Sequence, residues 1–254
     1  MLKIIVFDSG LGSLSIIKSI RKKFTAEVIY FADQASYPYG TKTVHQLDKI
    51  INNTISKLQE KFDPDIIVVG SNTPSLLLDI GKKNGKIIGV FPPLKEASSK
   101  TKSRQIGILA TKSVVENKVF NNYIRKNVSS KIQVTKINAT SLVDLIESGK
   151  FISEKQKSKR IIKKIIEPHL QNKIDVITLS STHLPFLLPM LKELFPNVIF
   201  LDPADSVAQR ILKILKNKKS QKSKFKIYAS GNVETFHKKL VKIGIKNKVN
   251  PFWI

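Results

Sequence analysis

The sequence contains no cysteine. That absence excludes disulfides, thiolate metal ligands and thiol catalysis together. Acidic residues are scarce beside basic ones, 19 Asp and Glu against 44 Lys and Arg, which leaves a formal charge of +25. Long apolar runs are missing as well. The N-terminus reads Met1-Leu2-Lys3-Ile4-Ile5-Val6-Phe7-Asp8, and Asp8 interrupts it too early for a signal-peptide core. No stretch approaches the roughly 20 apolar residues of a membrane span, so a cytoplasmic location is expected. Apolar residues at 41% and charged residues at 25% match an ordinary globular composition. A chain of 254 residues suffices for one large domain or two of usual size.

The excess of lysine favours acidic partners, whether nucleic acid, an anionic membrane or anionic metabolites. Its distribution argues for a solvated surface. Lysines occur in nearly every segment, with denser runs at Lys155–Lys164 and Lys216–Lys226. Neither run is interleaved with aromatics as a single-strand binding groove would be. Weak, nonspecific nucleic-acid binding at low salt is the most that the charge implies.

Two periodicities alternate along the chain. Short β-branched runs suit buried parallel strands: Ile4–Phe7, Val28–Phe31, Ile66–Val69, Ile87–Val90, Ile106–Leu109, Ile132–Ile137, Val176–Leu179, Val198–Leu201 and Lys226–Ala229. Between them come stretches with helical spacing: Leu14-Ile17-Ile20, Leu47-Ile50-Ile51-Ile55-Leu58, Ile161-Ile162-Ile165-Ile166-Leu170 and Val207-Ile211-Leu215. The pattern predicts βαβ units and an α/β fold, doubly wound about parallel sheets. Ligands of such sheets bind beyond the carboxyl ends of strands, so the residues after each strand carry most functional weight.

Those strand ends are small, polar and alike. They read Asp8-Ser9-Gly10, then Gly70-Ser71-Asn72-Thr73, then Ala110-Thr111, then Ser180-Ser181-Thr182-His183. The repeat predicts two similar domains facing each other across a central cleft, each presenting one serine to it. Residues 1–93 with 207–254 are expected to form the first domain and residues 94–206 the second.

Several of these residues can carry chemistry. Asp8 leaves a buried strand and enters a glycine-bearing turn before a helix, where free N–H groups suit an anion; an ordinary helix-capping aspartate gives the same pattern. The full Gly-x-Gly-x-x-Gly phosphate fingerprint is absent. Tyr37-Pro38-Tyr39-Gly40-Thr41 is a rigid turn rich in hydroxyl donors. Glu147 closes a helical stretch before Gly149, where a surface carboxylate is the ordinary reading. His183 stands two residues after Ser181, and a lone histidine is usually structural. No His, Asp or Glu set has metal-ligand spacing. Serine, histidine and acid are all available for a hydrolytic triad, yet neither serine sits in a Gly-x-Ser-x-Gly elbow.

Taken together, the strand-end motifs resemble those of the aspartate/glutamate racemase family, and of its glutamate racemases in particular. Asp8-Ser9-Gly10 is similar to the family's Asp-Ser-Gly, and Pro38-Tyr39-Gly40-Thr41 to its Pro-Tyr-Gly-Thr. Gly70-Ser71-Asn72-Thr73 resembles Ala-Cys-Asn-Thr, and Ser180-Ser181-Thr182-His183 resembles Gly-Cys-Thr-His. Leu142–Gly149 resembles the segment that carries a catalytic glutamate, and Tyr228-Ala229-Ser230-Gly231-Asn232 the closing strand and turn. The resemblance spans essentially the whole chain in order.

It implies cofactor-independent racemisation of glutamate or aspartate, in which one thiolate removes the α-proton and a second thiol returns one. The catalytic positions carried over are Ser71 and Ser181, with Asp8 assisting the first and Glu147 and His183 the second. Ser9, Pro38, Tyr39, Gly40, Asn72, Thr73, Thr111 and Thr182 would bind the amino acid. The resemblance implies neither a metal nor a cofactor, and it allows a homodimer. Serine departs from the family at both thiol positions. A thiol has a pKa of about 8.5, which neighbours can lower into the working range, whereas an alkanol does not titrate there. The expectation is therefore a dicarboxylate-binding protein whose two-thiol racemisation is lost or strongly impaired. An isomerase using serine, carboxylate or histidine bases is the first alternative, and a ligand-binding regulatory protein without turnover is the second. Two further departures are Phe91-Pro92-Pro93, where the family shows Glu-Pro, and Leu184 in place of tyrosine.

Overall fold

Each β-branched run of the sequence forms a strand in the computed structural model, which describes residues 1–80, 85–171, 173–216, 218 and 220–254. Within the basic run Lys216–Lys226, residues 217 and 219 lie outside the described residues. In chain order the strands are β1 (Lys3–Asp8), β2 (Glu27–Ala32), β3 (Ile66–Val69), β4 (Ile87–Gly89), β5 (Gln105–Ala110), β6 (Gln133–Asn138), β7 (Val176–Leu179), β8 (Ile199–Leu201), β9 (Lys224–Ala229) and β10 (Val249–Pro251). Every pairing among them is parallel. β10 is not predicted from the sequence: three residues that include Asn250 and Pro251 show no β-branched run.

The chain divides into two compact units, Met1–Val90 with Ala204–Ile254 and Phe91–Pro203. The first unit holds a six-stranded sheet in the order β10-β9-β2-β1-β3-β4. The second holds four strands in the order β6-β5-β7-β8. The arrangement β2-β1-β3-β4 is thus repeated, with β5 in the place of β1 and β7 in the place of β3. Both are parallel α/β sheets, as the alternating periodicities predict.

Residue type follows position in the sheet. β1, β2 and β3 are buried along almost their entire length, because helices cover both faces of a parallel sheet and leave no solvent side for polar residues. β6 lies at an edge and is correspondingly mixed, with Gln133 and Asn138 exposed. Helix Val44–Phe62 shows how one face is closed. Thr43 Oγ1 accepts from the Gln46 N–H, and the Gln46 side chain accepts from the Thr43 N–H, satisfying both ends of a capping box. Its buried residues Leu47, Ile51, Ile55 and Leu58 recur at three-to-four spacing and pack on Ile5, Phe7, Ile29, Phe31, Ile67 and Val69 of the sheet. Burial of each such side chain contributes about 1.5–3 kcal/mol.

In the second unit, Asp175 joins the loop before β7 to the turn that precedes β5. Its carboxylate accepts from Thr101 Oγ1 at 2.6 Å, from the Lys102 N–H at 2.7 Å and from the Ser103 N–H at 2.9 Å. Partial burial opposes ionisation most strongly of any single influence, but the hydrogen bonds together outweigh it and lower the pKa. A depressed carboxyl stabilises the fold above its unfolded pKa, about 3.9, and that stabilisation is lost as pH falls through the folded value. Asp175→Asn is therefore expected to flatten the acid limb of a urea-unfolding series run from about pH 6 down to about pH 2. An unchanged acid limb would contradict this assignment.

Candidate functional site

β1 is flanked by β2 and β3, so its last residue reaches the middle of the carboxyl edge of the first sheet. There Asp8 and Ser9 are 2% and 5% exposed. The Ser9 N–H donates to Asp8 Oδ1 at 2.7 Å, folding the aspartate back on its own turn. Tyr39 arrives from the loop after β2, which carries the cis Tyr37–Pro38 peptide. Its N–H donates to Ser9 Oγ at 3.4 Å and its phenol donates to Asp33 Oδ2 at 3.1 Å. Burial, first of all, then the charges of Asp33 and Asp8 and the hydrogen bond to Asp33 hold the Tyr39 phenol well above the ordinary phenol range. Tyr39 is therefore a neutral donor under all physiological conditions. Pro38 and Gly40, on either side, are exposed.

Beside β1, β3 runs into Gly70 and the half-buried Ser71, and helix Asn72–Leu77 follows. Ser75 Oγ donates to the Ser71 carbonyl at 2.6 Å and accepts from the Val90 N–H at 2.9 Å. Asn72 Nδ2 donates to the Val90 carbonyl at 3.1 Å. The Ser71 turn is thereby tied to the end of the fourth strand. Asn72 Oδ1 is buried with no hydrogen-bond partner among the described residues. An orphaned buried acceptor costs about 1–3 kcal/mol, and a ligand's N–H would satisfy it. Thr73 is 7% exposed on the same helix.

Corresponding strand ends build the second unit's set. Thr111 follows β5 and is half-buried, with Oγ1 3.1 Å from Ser113 Oγ. After β7 come Ser181, Thr182 and His183, at 7%, 2% and 8% exposure. Ser71 and Ser181 thus occupy equivalent places, directly past β3 and β7. Glu147 is not the surface carboxylate that its sequence context suggests: it is 6% exposed. Helix Thr140–Glu147 buries Leu142, Val143, Leu145 and Ile146, and Gly149 follows at a positive φ of 74° that favours glycine. A carboxylate at a helix C-terminus meets the unfavourable end of the dipole. His183 offsets this, with Nε2 2.8 Å from Glu147 Oε1, forming a buried acid–imidazole pair able to hold and pass a proton.

The fold therefore gathers Asp8, Ser9 and Tyr39 in one unit and Glu147 with His183 in the other. Asp8 and His183 belong to different units, so they form no triad with a serine within either one. No group of three or more His, Asp or Glu able to hold a metal occurs among the described residues, and none of their helices is long and apolar enough to cross a membrane. The motif reading passes over Asp33 and gives Ser230, part of the closing strand and turn, no role at the site. Asp33 immediately follows β2 and Ser230 immediately follows β9, so the strand-end rule that singles out Asp8 applies equally to both.

Known proteins resemble the chain throughout. The sequence model of the family described as Asp/Glu/Hydantoin racemase matches residues 4–211. Glutamate racemase from Actinobacillus pleuropneumoniae serotype 3 is 33% identical over 217 residues, covering 84% of this chain and 81% of the relative. Among solved structures, a glutamate racemase isoform from Bacillus anthracis superposes with a TM-score of 0.86 at 21% identity, over 100% of this chain and 98% of that one. Glutamate racemase from Escherichia coli, crystallised with L-glutamate and the activator UDP-MurNAc-ala, gives 0.83 at 24% identity over 99% and 98% of the two chains. At such identities the superpositions speak for the fold.

Proposed function

Since the chain belongs to the Asp/Glu/hydantoin racemase family, we propose that it binds a dicarboxylic amino acid, glutamate or aspartate, and that two-thiol racemisation is lost or strongly impaired in it. The observation that carries this reading is the pair of hydroxyls, Ser71 and Ser181, directly past the equivalent strands β3 and β7. Around them the polar residues expected of the family remain. Ser9, Tyr39, Asn72, Thr73, Thr111 and Thr182 supply donors and acceptors for the ligand's carboxylates and ammonium, and Pro38 and Gly40 shape the turn that carries Tyr39. The orphaned Asn72 Oδ1 supports a ligand that brings a donor. In this reading Asp8 would assist position 71, and the Glu147–His183 pair position 181.

Calorimetry with L- and D-glutamate and L- and D-aspartate, paired with proton NMR of the same compounds in D2O, tests the reading. Binding of at least one compound without loss of its α-proton signal is expected. Failure of all four to bind would remove the ligand assignment.

One observation favours a second reading, an isomerase that works without thiols. The buried 2.8 Å contact between His183 and Glu147 couples an imidazole, whose ordinary pKa of about 6.5 suits general base chemistry near neutrality, to an acid that orients it. Loss of the α-proton signal with the native chain, abolished by His183→Ala, would establish this reading.

A further inference from the structure

Asp33 has no exposed surface and takes no part in the assignments above. A carboxylate withdrawn from water is costly unless its oxygens are hydrogen-bonded. Both are. Oδ2 accepts from the Tyr39 phenol at 3.1 Å, and Oδ1 accepts from Ser230 Oγ at 2.9 Å. Ser230 Oγ in turn accepts from the Ala35 N–H at 3.0 Å. The Asp33 N–H donates to the Asp8 carbonyl at 2.8 Å, and the Ser230 N–H to the Ala32 carbonyl at 3.0 Å. The Gln34 side-chain amide also donates to the Ser9 carbonyl.

This arrangement closes the segment after β2 at two points on one carboxylate: at Ala35 through Ser230, and at Tyr39 directly. It draws together the carboxyl ends of β1, β2 and β9. An asparagine replaces the acid poorly, because it carries no charge and offers one acceptor oxygen in place of two, so one of the two hydroxyls would have to turn and accept instead of donating. We propose that Asp33 is a positioning residue. It sets the Pro38–Thr41 turn, through the Tyr39 phenol, in its ligand-binding geometry and makes that geometry depend on the C-terminal segment through Ser230. The proposal rests on the reading that this turn contacts the amino-acid ligand.

The test uses the full chain and four variants: Asp33→Asn, Tyr39→Phe, Ser230→Ala, and Asp33→Asn combined with Tyr39→Phe. Ring-labelled tyrosine NMR follows the Tyr39 phenol directly, with Tyr39→Phe assigning its signal. In Asp33→Asn the Tyr39 titration is expected to move down by about one pH unit or more, since a neighbouring charge and a charged acceptor are lost. Glutamate affinity is expected to fall roughly tenfold in Asp33→Asn and in Tyr39→Phe, and no further in the double variant, because both substitutions break one link. An Asp33 that does not set the turn would make the two affinity losses multiply, and that result overturns the proposal. If the native chain binds no glutamate, the ligand reading falls while amide exchange of residues 35–39 in Ser230→Ala still decides the link through Asp33. If Asp33→Asn fails to fold, Ser230→Ala decides it by amide exchange. Residues 35–39 are then expected to exchange roughly tenfold faster with helix Val44–Phe62 unchanged, and uniform acceleration throughout the unit refutes the link.

Discussion

In D2O, the Ser71→Cys/Ser181→Cys variant is expected to exchange the α-proton of glutamate at least about four powers of ten faster than the native chain. The estimate comes from the two groups replaced. A well-placed general base contributes typically about 10²–10⁴-fold when its pKa lies near the working pH, and two such positions are involved. A thiol of pKa about 8.5 is readily tuned into that range by its neighbours. An alkanol hydroxyl is not. The substitution is small and local: both serines occupy the first turn past a buried parallel strand, and the preceding amides of Gly70 and Ser180 donate to the Phe7 and Leu109 carbonyls. Ser71 and Ser181 each exchange one oxygen for one sulfur, and the surrounding polar residues stay as they are. Equal exchange by native and double-variant protein would mean that the serines are not at the reacting positions, or that another base acts. Ser71→Ala/Ser181→Ala separates those cases, because exchange that survives it belongs to Asp8, Glu147 or His183.

A second large effect lies beside Ser71. Gly70→Ala is expected to destabilise the chain by about 1–3 kcal/mol, and Ser13→Gly is expected to recover most of that loss. A Cβ at position 70 would stand 2.5 Å from both Cβ and Oγ of Ser13 and 3.1 Å from the Phe7 carbonyl oxygen. The Ser13 Cβ is fixed to the backbone at the start of helix Leu14–Lys23, so it cannot swing aside as the end of a long side chain does. Ser13 Oγ is itself buried without a hydrogen-bond partner among the described residues, a further cost of about 1–3 kcal/mol. Removing that side chain relieves both problems at once. The remaining 3.1 Å approach to Phe7 leaves the rescue short of complete. Urea unfolding of the two single variants and the double variant measures the coupling. Additive losses would show that residues 13 and 70 do not compete for one space.

Much of this molecule is legible as local pattern. Runs such as Ile66–Val69 and Val176–Leu179 announce buried strands because parallel sheets covered on both faces accept only apolar side chains. The Leu47-Ile51-Ile55-Leu58 series announces a helix for the corresponding reason at a period of 3.6. β10 escapes this reading, since three residues ending in Asn250 and Pro251 carry no period. The strand-end rule locates Asp8, Ser71, Thr111 and Ser181, and family membership follows from their motifs. Applied at Phe31-Ala32-Asp33, the same rule also reaches Asp33, although its turn residues Gln34 to Ser36 resemble no binding motif.

Partners were beyond reach, because a partner is chosen by strand order rather than by nearness in sequence. Glu147 looks like a surface acid at a helix end until the fold packs that helix end against His183, 36 residues away. Asp33 receives Ser230 from 197 residues away because β9 inserts beside β2 in the first sheet. Gly70 is a small residue in a turn until Ser13 fills the space where its side chain would be. By itself, the sequence determined every strand but β10, the parallel α/β class, the family and the missing thiols, all consequences of residue type and short-range period. Only the tertiary structure decided which polar atoms are buried and what satisfies them, because a hydrogen bond needs its partner within about 3 Å, and a linear pattern carries no such distance.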